Sequence, residues 1–199
     1  MSSIRISRKS ITKIEPLFRS WIKLNNRYNK NVDKDCTYYY GERTNCSILC
    51  AAAFDANMVA SMEIPILRKK RRGEEAEGRV GRYDMYLCHD GREYIFEMKQ
   101  AWTCSDADNK LSEAEAQIRS IRRTDAVNAL KIALVFLAPG FSAKRFDQPV
   151  LNNFIDEVNK KQADGVVHYY PDATRGLRGG GKYSEYVYPG VSILVRVVG

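Results

Sequence analysis

Asp84, Glu97 and Lys99 are the side chains whose type and spacing suggest chemistry in this chain. They fall within Arg82–Lys99, which turns on Asp90-Gly91, the strongest short signal for a type I′ hairpin because both central residues need positive φ. With those two residues as the loop, His89 pairs with Arg92. The register then sets Tyr83 against Met98, Met85 against Phe96 and Leu87 against Tyr94, an apolar side that belongs on a core. On the other side Asp84 lies opposite Glu97, and Lys99 stands two residues beyond Glu97. Carboxylates opposed across a ladder repel each other unless a cation pairs with them, and oxygen donors suit Mg²⁺. The plainer alternative is a solvent-facing hairpin with scattered charges. Tyr86–Ile95 beside the carboxylates makes that face partly apolar and covered, which favours a metal site.

Such a site needs elements to hold it. Ile11, Ile14, Leu17, Phe18, Trp21, Ile22 and Leu24 have helical spacing, with Pro16 in the first turn. Asn25 to Asp35 is polar and predicts a loop. Tyr38 to Ala60 predicts one long helix, and Met62 to Arg68 a strand made irregular or edge-bound by Pro65. Gly73 to Gly78 predicts an acidic turn into the hairpin. Ser112 to Arg123 predicts a helix, with Ser112 as N-cap and Glu115 completing a capping box. Lys131 to Ala138 predicts a buried strand stopped by Pro139-Gly140. Beyond it come a helix over Gln148 to Gln162, a strand over Val166 to Tyr170, a Gly/Arg-rich loop over Arg175 to Lys182 and a last strand over Val191 to Val198. The order is helix, three strands, helix, strand, then additions.

A chain of 199 residues is long enough for one sizeable core. No run of apolar residues is long enough for a transmembrane helix, and the N-terminus lacks the apolar stretch of a signal peptide. Five unpatterned cysteines predict reduced thiols and a cytoplasmic protein, with Cys46 and Cys50 as small hydrophobes. Only two histidines are present, His89 and His168, which disfavours a zinc site or a histidine-based triad. A net charge of +8 favours polyanionic partners, chiefly nucleic acid.

The pattern Asp84 followed by Glu97-Met98-Lys99 resembles the Asp…(Asp/Glu)-x-Lys signature of the PD-(D/E)XK nuclease superfamily. The helix–three strands–helix–strand order over about 38–138 resembles its common core; Tyr83 stands where the family's name has proline. The resemblance implies an α/β fold with a restriction-endonuclease-like core, a central mixed β-sheet flanked by helices. It implies one nuclease-like domain over 1–199, with 1–37 an N-terminal helical extension and 38–138 the common core. It implies Mg²⁺, or Mn²⁺ in its place, held by Asp84 and Glu97, with Lys99 orienting the attacking water. Members often carry a Glu on the preceding helix and a Gln on the following one, where Glu42 and Gln117 stand.

On residues alone, Glu42 shares a helical stripe with Cys46, Leu49 and Ala53. It either faces a metal or basic partner, or caps the helix and meets solvent. Glu63 is the rival acid at the rim. Gln117 lies with Ala114, Ile118 and Ile121 and either binds phosphate or a carboxylate, or is a surface glutamine. Basic groups Arg68, Lys69, Lys70, Arg71, Arg72, Arg119, Arg122 and Arg123 are candidates for nucleic-acid backbone contacts. Tyr38-Tyr39-Tyr40 reads as core, with base stacking as the other use. The expected function is phosphodiester hydrolysis in DNA by an endonuclease. RNA cleavage at the same site and a non-catalytic nucleic-acid- or protein-binding module are the alternatives. No membrane partner is expected, and a homodimer or larger complex is left open.

Overall fold

Asp90 and Gly91 have φ of 50° and 68°, so the turn at the centre of the fold is the one expected from its residue types. The computed structural model describes residues 1–32, 35–67, 80–121, 128–171, 177–178 and 185–199. In chain order the elements are β1 (Ser2–Ile6), α1 (Glu15–Asn31), α2 (Glu42–Asp55), β2 (Val59–Leu67), β3 (Val80–His89), β4 (Arg92–Ala101), α3 (Cys104–Arg119), β5 (Leu130–Leu137), β6 (Phe141–Ser142), α4 (Gln148–Asn159), β7 (Gly165–Tyr169), β8 (Leu177–Arg178), β9 (Tyr186–Tyr188) and β10 (Val191–Val198). Short 3-10 turns occupy Lys9–Ile14 and Thr37–Tyr40.

The fold is α/β. A seven-stranded mixed sheet has the order β1-β7-β10-β5-β4-β3-β2, and β6-β9-β8 form a small second sheet. Only β4 and β5 are parallel in the large sheet, and α3 makes the crossover a parallel pair requires. Strand alternation sends Met85, Leu87, Tyr94, Phe96 and Met98 to the face covered by α1 and α2, through Leu17, Phe18, Trp21, Leu49 and Ala53. Ile95, Ala133, Val135 and Leu137 point to the opposite face. There Ala107, Leu111, Ala114 and Ile118 of α3 cover them, with Val158 of α4. Both faces being covered explains why β5 reads as an uninterrupted apolar run.

Several boundaries differ from the sequence-based expectation. The polar stretch from Asn25 does not end α1, because Asn25 is buried with its needs met: Nδ2 donates to Trp21 O at 2.9 Å, and Oδ1 accepts from the Thr37 hydroxyl. The single helix expected over Tyr38 to Ala60 is cut at Gly41, whose φ of 99° only glycine adopts cheaply, and ends before Asn57 at φ 57°. The helix expected from Ser112 begins at Cys104, where Thr103 Oγ1 accepts the Asp106 N–H at 3.1 Å. Ser112 instead lies inside the helix and donates to Asp108 O. β1 was not foreseen; its partner β7 lies at the far end of the chain. β2 is an edge strand, as Pro65 suggests. The run Arg68 to Arg72, the acidic turn Gly73 to Gly78, Arg122, Arg123 and most of Arg175 to Lys182 lie outside the described residues. Among the described residues no helix is long and apolar enough to cross a membrane.

Candidate active site

The regular ladder gives way around Asp84. Pairing between β3 and β4 runs from His89↔Arg92 to Met85↔Phe96 and stops one pair short of Asp84 and Glu97. Past that point Asp84 Oδ2 accepts the Met98 N–H at 2.6 Å, taking a donor that a strand would otherwise bond. On the other flank, pairing of β2 with β3 passes from Met62↔Met85 to Ile64↔Tyr83 without Glu63, whose φ is 56°. A left-handed glutamate in a strand is a strained position, and here it interrupts the ladder without adding a residue, since the register is the same on both sides. Two expectations are thereby corrected. Asp84 is not laddered against Glu97, and Tyr83 does not share the face of Met85. It packs with Ile66 and Ile95 on the α3 side, because the backbone changes face where the Asp84 carboxylate takes over the bonding.

Asp84, Glu97 and Lys99 nevertheless gather at this break, near the C-terminal ends of the parallel strands β4 and β5. Glu97 is 3% exposed. Lys99 Nζ lies 3.6 Å from Glu97 Oε1 and donates to Met98 O at 3.0 Å. Glu42 joins them from the first turn of α2. Its carboxylate accepts the Gln100 N–H, and its pKa is held above the ordinary carboxylate value. Burial is the largest cause, and the negative charge of Asp84 adds to it; Lys99, the Gln100 amide and Lys110 pull the other way. Glu42 is thus coupled electrostatically to Lys99 and Lys110 without forming a close ion pair with either. One turn on, Cys46 packs against Met98 Sδ at 3.3 Å, and burial pushes its thiol up, which makes it inert as a nucleophile.

Three residues missed in the sequence hold this arrangement. Gln100 Oε1 accepts from Asn45 Nδ2 at 2.9 Å, while Gln100 Nε2 donates to Tyr38 O at 3.4 Å. The end of β4 is therefore tied to the start of α2, and the Gln100 amide is aimed at Glu42. Asn45 also donates to Gly41 O at 3.0 Å. Its place three residues after Glu42, buried inside a helix, was a readable signal. Lys110 of α3 is the third; it pairs with Glu113 at 2.9 Å and is also coupled electrostatically to Glu42. It sits seven residues before Gln117 and on the same helical face, and it was overlooked because the helix was expected to start after it.

Gln117 is exposed in the last turn of α3, about 10 Å along the axis from Lys110. Arg119 is exposed and pairs with Glu115 at 3.7 Å, on the same helix. Neither is brought to the carboxylates by any contact described for it. Glu63 pairs with Arg82 at 3.5 Å on the rim. Among the described residues no group of three or more His, Cys, Asp or Glu side chains is gathered closely enough to hold a metal as it stands. The donor set at the break still suits a hard cation. Ionised carboxylates are oxygen acceptors, and Mg²⁺ commonly takes only one or two of them, with water and phosphate filling its octahedron.

Comparison of the chain with protein-family models, curated proteins and solved structures finds no match.

Proposed function

We propose that this chain is a divalent-metal-dependent nuclease that hydrolyses phosphodiester bonds in DNA, cutting within the strand, on a restriction-endonuclease-like core. The observation that carries this reading is the meeting of Asp84, Glu97, Lys99 and Glu42 at one interruption of the sheet. Buried Glu97 pairs with Lys99, Asp84 is bonded to the Met98 amide beside that pair, and Glu42 is coupled electrostatically to Lys99 and Asp84. The antiparallel β2-β3-β4 meander, the α3 crossover to a parallel β5 and α2 leading in support that reading of the core.

Asp84 and Glu97, with Glu42 beside them, would hold Mg²⁺ or Mn²⁺, which would supply positive charge to the phosphate oxygens and lower the pKa of water. The chain's own groups do the rest. The Met98 and Gln100 amides fix Asp84 and Glu42 as acceptors. Burial of Glu97 keeps bulk water from screening the site. The Lys99 ammonium orients the attacking water and stabilises charge developing on the phosphate. Water oxygen bonds to phosphorus, the bond to one sugar oxygen breaks, and the proton from water ends on that departing oxygen.

The test is incubation with supercoiled plasmid, linear duplex, single-stranded DNA and RNA, in Mg²⁺, in Mn²⁺ and in chelator. Metal-dependent nicking of the plasmid is expected, together with loss of cleavage and of the calorimetric Mg²⁺ signal in Asp84→Ala and Glu97→Ala. Cleavage confined to RNA would reassign the substrate. No cleavage of any of the four would overturn the reading.

A further inference from the structure

Four aromatic rings run in contact beside this site. Tyr40 meets Tyr39 at 5.6 Å between centroids, Tyr39 meets Tyr188 at 4.9 Å, and Tyr188 meets Trp102 at 6.0 Å, each edge to face. The middle of the track is packed, but its ends stand in solvent: Tyr40 is 57% exposed and Trp102 41%. Rings recruited only for a core are covered, as neighbouring Tyr38 is at 2%. Large aromatic groups left exposed at the ends of one packed track offer a binding surface.

The track is tied to the carboxylates at both ends. Tyr40 stands two residues before Glu42, and Trp102 three residues after Lys99. Between them, Tyr38 O accepts from Gln100 Nε2, and the Tyr38 hydroxyl donates to Tyr188 O at 3.3 Å. Exposed Arg43 follows Glu42 in the same first turn of α2, in a chain of net charge +8. The surface is therefore continuous with the phosphodiesterase site and suits a polyanion with flat apolar parts.

The geometry points to Tyr40 and Trp102 as the exposed ends of a stacking platform for unpaired bases of the substrate strand. This inference rests on the nuclease reading for its substrate. Bases within a duplex cover one another's faces, so such a platform selects a single strand, an overhang or a gap. Stacking accepts any base, because every base has a π face. Lys99 and Trp102 are three residues apart across the end of β4, a reach of at most about 10 Å, or about three nucleotide steps at the spacing of stacked bases. Bases unpaired within that distance of the cleaved phosphate are the ones held.

The chain has two tryptophans, and Trp21 is fully buried, so fluorescence changes on binding report Trp102. The probes are a short oligothymidylate, an abasic strand of equal length and a blunt duplex, each titrated in chelator to prevent hydrolysis. The oligothymidylate is expected to quench the emission and to bind about ten-fold or more tighter than the abasic strand. Trp102→Ala should lose that advantage and Trp102→Phe keep most of it, with blunt-duplex affinity unchanged in both. Equal binding of the abasic strand by the wild-type protein would overturn the platform, whatever the variants do. Cleavage with Mg²⁺ separates the two proposals. Hydrolysis without a base-dependent advantage leaves the nuclease and removes the platform. A base-dependent advantage without hydrolysis of any substrate overturns the nuclease, and with it the assignment of these rings to a nuclease substrate.

Discussion

Two polar clusters interrupt the apolar faces of the large sheet, and they are built in opposite ways. In the first, buried Tyr170, Ser192 and His168 form a chain among β7, β10 and α4 that ends on exposed Asn159. Tyr170 Oη and Ser192 Oγ are 2.8 Å apart, Ser192 Oγ and His168 Nδ1 2.8 Å, and His168 Nε2 and Asn159 Oδ1 3.1 Å. With His168 protonated on Nε2 alone, each group donates to the next and every partner is used. The cluster contains a serine and a histidine in contact, yet Ser192 is fully buried and His168 nearly so, which leaves no room for a substrate. In the second, Glu97 pairs with Lys99, Asp84 takes the Met98 amide, and Glu42 is coupled to Asp84 and Lys99, all at a break in the ladder. Saturated hydrogen bonding is the mark of a structural network, whereas carboxylates brought near one another are what the proposed metal site would use.

Exchanging the two roles by mutation tests that contrast, and the largest effect should come from the carboxylates. Glu97→Gln or Asp84→Asn should lower metal-dependent cleavage by about three orders of magnitude while leaving the melting temperature unchanged or higher. Glu42→Gln should do the same more mildly. A carboxylate whose pKa is raised by folding binds its proton more tightly in the folded state, so its ionisation at neutral pH costs stability that the amide restores. A melting temperature that falls sharply in all three would place this cluster with the structural one.

Next in size is Lys99→Ala. Single-turnover cleavage should fall by about two orders of magnitude, with Mg²⁺ and DNA affinity within several-fold. Lys99→Arg should not restore it, because a planar guanidinium does not reproduce a compact ammonium. Wild-type single-turnover rates in Lys99→Ala would refute the assigned role.

The His168 network should show the reverse profile. Burial, with Arg5 adding to it, lowers the His168 pKa to about 4. The unfolded chain, at about 6.5, binds the proton first as the pH falls. Its contribution is therefore complete above pH 6.5 and is lost between there and about pH 4, by up to roughly 3 kcal/mol. Urea midpoints measured across that range should fall for the wild type and fall less for His168→Gln. Cleavage at neutral pH should be the same for both proteins. The smallest difference separates two residues on one helical face. Lys110→Ala should reduce cleavage several-fold, about 1 kcal/mol of lost charge stabilisation, and Gln117→Ala should leave it unchanged. The opposite order in a steady-state assay would return Gln117 to the site.

What the sequence made legible was local. The Asp90-Gly91 turn sets the His89↔Arg92 to Met85↔Phe96 register over a few residues, and that was enough to find Asp84, Glu97 and Lys99. Glu42 was singled out by the family resemblance, since helical spacing left a metal-facing and a solvent-facing role equally open. The failures have non-local causes. Tyr83 changes face because a side chain took a backbone donor from the neighbouring strand. Gln100 and Asn45 lie 55 residues apart in sequence and carry no shared local signal. The strand at Ser2–Ile6 has mostly exposed side chains and finds its partner only at Gly165–Tyr169. The start of α3 was a different kind of miss, since Thr103 followed by Asp106 was a capping pattern open to inspection.

The bend at Glu63 has a consequence for how molecules of this protein behave toward one another. β2 closes the strand order, and a straight outer strand would offer its free amides and carbonyls to any extended chain nearby. Pro65 has no amide to offer, and the left-handed residue two positions earlier breaks the even spacing that a docking strand must match. The distortion that opens the sheet around Asp84 therefore also spoils it as a template for fibril growth. A change that straightened β2 to gain stability would expose the protein to self-association as it closed the site.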